Sequence, residues 1–202
     1  MEQQNETNMI KILSEEEMYR DWDKLDHKEC CQYQAMSVQF IKDHLDDIDW
    51  NMLSINKHLT FGILEEFTNK INWVNLCMYN SKLADNVIYH FRTKMVWQLL
   101  LSHMQLNLQL LIVLSEIYRK SKAKNRNMFW KAVSRYQKFD YEYVDAYKKF
   151  IDFKELSNNP NIDEQTIEDH LMKMDIGALL ANKELSPEFL ARHRAYLNSY
   201  FN

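Results

Sequence analysis

The chain has 202 residues, with 29 acidic against 25 basic side chains for a formal net charge of −4, and it contains only two glycines and two prolines. Strands, hairpins and phosphate-cradling loops lean on glycine and proline, so this composition argues against sheet folds and for helices joined by short polar turns. An apolar content of 46% argues against disorder, and the predicted class is all-α.

Residues 1–12 carry neither the basic nor the apolar segment of a secretory signal and are expected to be a flexible lead. The most apolar run, 96–114, is interrupted by Gln98, Ser102, His103, Gln105, Asn107 and Gln109, which argues against a membrane helix. Three cysteines, two of them adjacent at Cys30 and Cys31, make no disulfide framework. A reducing, cytoplasmic setting is therefore expected.

In chain order, a half repeat runs from Leu13-Ser14 to Leu25-Asp26, and a repeat then opens at His27 with Cys30, Met36, Ser37, Phe40-Ile41 and Ile48. Further repeats open at Trp50, Trp73, Trp97, Trp130, Phe153 and Ile176, spaced 23, 24, 33, 23 and 23 residues apart. Position 4 of each is Leu53, Leu76, Leu100, Val133, Leu156 or Leu179. An apolar residue at position 10 or 11 precedes Thr60, Ala84, Asn107, Asp140, Asp163 or Ser186. Ser, Thr, Asp and Asn there predict N-caps, because their side-chain oxygens accept from orphan amides of the first turn. The apolar residues at positions 14, 15, 18 and 22 then fit one face of a helix of roughly 12 residues. A second set of caps, Asp49, Asn72, Asp152, Asp175 and Asn198, sits directly before the next anchor position and predicts a short helix from each anchor. Neither helix buries its apolar side alone, so the expectation is a helical solenoid of short-helix/long-helix pairs, about seven and a half repeats in one domain over 13–198. Residues 199–202 form a tail.

The pattern W-x-x-L-S-x-x-x-x-L-S-x-x-F-I-x-x-F-x-x-x-I-D-W, best matched at 50–72, 130–152 and 176–198, resembles a short repeat of uncharacterised proteins from large DNA viruses and some phages. The resemblance implies a viral interaction protein and supplies no catalytic residues. It weakens over 97–129, where Leu101 replaces a small polar residue and about ten residues are inserted near 119–129.

The insertion is the feature that the repeat does not absorb. Between 119 and 135 stand Arg119, Lys120, Lys122, Lys124, Arg126, Lys131 and Arg135 with no acid, interleaved with or followed by Phe129, Trp130, Tyr136, Phe139, Tyr141 and Tyr143. Basic groups with nearby rings can neutralise phosphates and stack on bases, so the segment is a candidate for single-stranded nucleic acid. A solvated charged loop or a contact with an acidic protein segment fits the same residues. Residues 14–49 hold eleven acids against four bases, a net of −7, which reads as a solvated acidic flank or as a segment that could pair with the basic segment of a second copy.

His27, Cys30, Cys31 and His44 fill positions 1, 4, 5 and 18, and His170 and His193 also fall at position 18, which reads as repeat interior rather than a zinc site. Asp43, Asp46, Asp47 and Asp49 read as helix-end acids, Asp49 as a cap. No nucleophile elbow, Walker loop, dinucleotide fingerprint or zincin helix is present. Tyr196, Tyr200 and Phe201 keep apolar bodies where the repeat offers no following helix, so they are expected to pack on a second copy or a partner.

The expected function is a non-enzymatic scaffold or adaptor that binds a partner protein, possible self-association included, inside the host cytoplasm if the chain is viral. The alternatives are a single-stranded nucleic-acid binder through 119–135 and a self-assembling structural or virion protein. No cofactor, metal or membrane is expected.

Overall fold

The computed structural model describes residues 10–200, and among them every regular element is helical. The chain divides into two compact units, one running through Leu83 and the other from Ala84.

The N-terminal unit holds α1 (Glu15–Asp21), α2 (His27–Tyr33), α3 (Val38–Asp43), α4 (Trp50–Ser54), α5 (Phe61–Glu66) and α6 (Trp73–Tyr79), with a 3-10 turn at Trp22–Lys24. The C-terminal unit holds α7 (Asp85–His90), α8 (Trp97–Leu101), α9 (Leu108–Arg119), α10 (Ala123–Tyr136), α11 (Tyr141–Tyr147), α12 (Phe153–Leu156), α13 (Glu164–His170), α14 (Ile176–Asn182) and α15 (Pro187–Tyr200), with a 3-10 turn at Leu171–Lys173. Helices that begin at or contain an anchor pack on one another, α2 on α4 and α4 on α6 in one unit, α8 on α10 and α10 on α12 in the other. The intervening helices pack likewise, α3 on α5, α7 on α9 and α11 on α13. Each unit therefore has two rows of helices, with the apolar positions of the repeat between them.

Helix starts follow the capping chemistry. Ser37, Thr60, Asn107, Asp140 and Asp163 each accept a backbone amide at the third residue beyond them, and Ser186 does the same for Phe189 at 3.1 Å. Asp49, Asn72, Asp152 and Asp175 cap the anchor helices. Such caps contribute about 1 kcal/mol each. Asn198 lies inside α15 rather than at a helix start.

Helix lengths differ from expectation. The second helices of most repeats are as short as the anchor helices, with six residues in α3, α5 and α7. The apolar residue at position 22 lies beyond the helix end, where the chain must turn extended for the next cap. Ile48, Ile71, Met95, Ile151 and Met174 are buried there, not in a fourth helical turn. The basic insertion near 119–129 is not a loop. It lengthens α9 to 12 residues and α10 to 14, leaving only residues 120–122 between them. Phe129, not a capping residue, precedes Trp130, so nothing starts a helix at this anchor and α10 runs through it.

Three recurring side-chain contacts bind successive repeats. The Ser54 hydroxyl donates to the Trp50 carbonyl at 2.6 Å and accepts the Asn72 amide at 2.8 Å. Ser134 repeats this between Trp130 and Asp152, and Ser157 between Phe153 and Asp175. Asn56 and Asn159, both 1% exposed, donate to two carbonyls of the preceding repeat and accept one amide of their own turn. Glu15 accepts the amide and hydroxyl of Ser37, and Glu164 those of Ser186, across 22 residues in both cases.

Candidate anion-binding cleft

The C-terminal unit carries a cleft of about 630 Å³ between α10, the turn before α12, α12 itself and the 3-10 turn at Leu171–Lys173. Its cations are Arg126 and Lys131 on α10, Lys149 in the turn, Lys154 on α12 and Lys173. The placement follows from helix geometry, with Arg126, Trp130 and Asn127, Lys131 each one turn apart on α10. Arg126 is half-buried and the four lysines are exposed. Among the described residues, none of the five forms an ion pair.

The cleft holds one carboxylate, Asp152. A single Asp152 oxygen accepts the amides of Lys154 and Glu155 at 3.2 Å each, which ties this residue to the start of α12. The rings of the cleft are engaged. Trp130 is 2% exposed and stacks with Phe150 at 5.5 Å between centroids. Phe153 has Lys173 Nζ 4.8 Å from its centroid and the His170 ring at 4.7 Å. Burial, and then the Lys173 charge, hold the His170 imidazole below its ordinary value.

The seven basic residues anticipated from 119–135 divide into three groups. Arg126 and Lys131 face the cleft. Arg119 pairs with Glu116 at 2.6 Å, and Arg135 pairs with Glu155 at 2.9 Å, a bond that raises the Arg135 pKa. Lys120, Lys122 and Lys124 are exposed around the start of α10 and do not line the cleft. Lys149, Lys154 and Lys173 had no signal as an isolated run. Lys173 had one through the repeat, since Lys70 stands 5.9 Å over the Trp50 ring at the same spacing from its anchor. Tyr196 is half-buried, Tyr200 ends α15, and Phe201 lies outside the described residues.

Several other groups singled out by sequence have internal partners. Asp43 accepts from Tyr19 at 2.8 Å and from Gln39, bonds that lower its pKa while the Tyr19 phenol is pushed up to about 12. Asp47 accepts from Trp22 Nε1. His27 Nε2 lies 3.0 Å from the Trp22 carbonyl, and His44 Nδ1 3.0 Å from that of Phe40. Among the described residues, no three His, Cys, Asp or Glu side chains are placed to share a metal ion, and no helix is long and apolar enough to cross a membrane. Comparison with family models, with curated proteins and with solved structures finds no match.

Proposed function

We propose that the chain is a non-enzymatic binding module, of viral origin as the repeat pattern implies, that holds a partner protein in the cytoplasm by an acidic segment seated in the cleft of the C-terminal unit. The observation that carries this reading is the convergence of five cations, without ion pairs among the described residues, on one cleft whose one carboxylate among those residues already caps a helix. Like charges gathered without counter-charge repel, and an anionic occupant relieves that repulsion. The recurring polar side chains elsewhere support the same reading, because they bind backbone groups between repeats rather than standing free for chemistry.

Single-stranded nucleic acid fits less well. Base stacking needs free aromatic faces, whereas Trp130 is buried against Phe150 and Phe153 is flanked by Lys173 and His170.

Affinity capture with the full chain and with a Lys131→Glu/Lys149→Glu/Lys173→Glu variant tests the proposal. A partner held by the unaltered chain, released by moderate salt and lost by the folded variant is the expected outcome. Capture of the same proteins by both chains would refute the cleft as the contact.

A further inference from the structure

We infer that the groups bound in this cleft are phosphates, borne on a phosphorylated segment of the partner protein. The inference rests on the reading above and specifies its chemistry.

Charge and space favour phosphate over carboxylate. Five cations face one carboxylate, an excess of four positive charges around about 630 Å³, the size range of a pocket for a drug-sized ligand. An acidic side chain brings one negative charge, whereas a phosphorylated side chain brings roughly 1.5 to 2. Two phosphorylated residues therefore balance the cleft, where four acidic residues with their backbone would have to share the same space.

The test is calorimetric titration of the full chain with four probes: a peptide bearing two phosphoserines, the same peptide with glutamates at those positions, tripolyphosphate, and a single-stranded oligouridylate. At pH 7.5 the phosphopeptide is expected to bind about tenfold or more tightly than the glutamate peptide, because each phosphate carries nearly two charges there. The advantage should shrink towards pH 5, as the phosphates pass from dianion to monoanion near their second pKa of about 6. Of the groups around the cleft, His170 beside Phe153 works against that fall, since the positive charge it gains at low pH favours an anion.

Lys149→Gln/Lys173→Gln should abolish the advantage, and Lys120→Gln/Lys124→Gln should keep it, with circular dichroism confirming equal helicity in both. Equal affinity for the two peptides overturns the phosphate inference and leaves the acidic-segment reading standing. Failure of both peptides to bind overturns both. Tighter binding of tripolyphosphate or of the oligonucleotide than of the phosphopeptide, lost in the Lys149/Lys173 variant, overturns the protein-borne source.

Discussion

Asn159 Nδ2 lies 2.9 Å from the carbonyl oxygens of both Ser134 and Gln137, and Asn56 Nδ2 lies 2.8 Å from those of Cys31 and Gln34. The same amide thus grips the end of the preceding anchor helix in both compact units. A glutamine completes the arrangement, with Gln137 accepting from Leu106 and donating to Met104, and Gln34 accepting from Leu13 and donating to Lys11. All four side chains are buried; each asparagine donates twice and accepts once, and each glutamine donates once and accepts once.

Asn159→Ala should therefore destabilise the C-terminal unit more than its volume suggests. Two buried carbonyls and the part-buried amide of Asn161 lose partners, and each unsatisfied buried group costs about 1–3 kcal/mol. A loss of roughly 3 kcal/mol is expected after local relaxation, read from urea unfolding. Asn159→Asp should be nearly as harmful, since it keeps the shape and removes both donors. A loss under about 1 kcal/mol for both variants would show that water replaces the clamp.

The serine at position 5 is a second staple, and Cys31 occupies the same place, with the Asp49 amide partly offsetting the burial that raises its thiol pKa. Ser134→Ala should cost about 1–3 kcal/mol by stranding the Asp152 amide, whereas Ser134→Cys should cost less. Cys31→Ser should be close to neutral and Cys31→Val harmful, because valine has no acceptor. Burial pushes the Cys31 thiol up to about 11, so the folded chain should resist alkylation at this residue at pH 8. Rapid labelling there under native conditions would contradict the buried staple.

The legible part of the fold was the part written in local chemistry. Asp49, Asn72, Asp140 and Asp163 cap helices because a short oxygen-bearing side chain within three residues of free amides is informative on its own. The Asn and Gln clamps were not legible, because their partners lie 21 to 33 residues away and a buried amide looks like any polar residue in a sequence. Helix lengths were overestimated because Ile48, Ile71 and Ile151 continue the apolar periodicity while sitting in turns. The cleft was half legible. Arg126 and Lys131 stood out in a basic run, but Lys149, Lys154 and Lys173 come from separate elements and join them only through the packing of α10 on α12.

Acid should weaken the fold in two stages. Burial, and then the nearby Lys173, hold His170 below 6.5 in the folded chain, so the folded state resists protonation that the unfolded chain accepts. Stability is complete above 6.5 and falls as pH drops through it. Glu164, held below 4.5 chiefly by the amide of Ser186, and Asp43, held below 3.8 by Tyr19 and Gln39, contribute stability that is present above those values and lost as pH falls further. Thermal melts from pH 8 to 3 should show both limbs. His170→Gln should flatten the first, and Glu164→Gln should shrink the second. A melting temperature independent of pH between 7 and 5 would remove the histidine from this account.

The cleft makes a prediction about the free chain as well. Arg126, Lys131, Lys149, Lys154 and Lys173 surround one space with no ion pair among the described residues, so their charges repel one another. Neutralising one exposed lysine should leave stability unchanged or raise it slightly, within about 0.5 kcal/mol for such a surface group. Lys149→Gln and Lys131→Gln are the appropriate variants. Lys173 also covers the Phe153 ring, and its removal carries a separate cation–π loss of about 0.5–1 kcal/mol at an exposed site. Arg135→Gln is the contrast: its guanidinium pairs with a partly buried Glu155, and its loss should lower stability. Raising sodium chloride at pH 7.5 should narrow the gap between Lys149→Gln and the unaltered chain, because salt screens the repulsion between exposed lysines. Melts of the four chains at low and high salt separate the cases. If Lys149→Gln and Lys131→Gln each lose as much stability as Arg135→Gln, the lysines are structural and the cleft is not held ready for an anion.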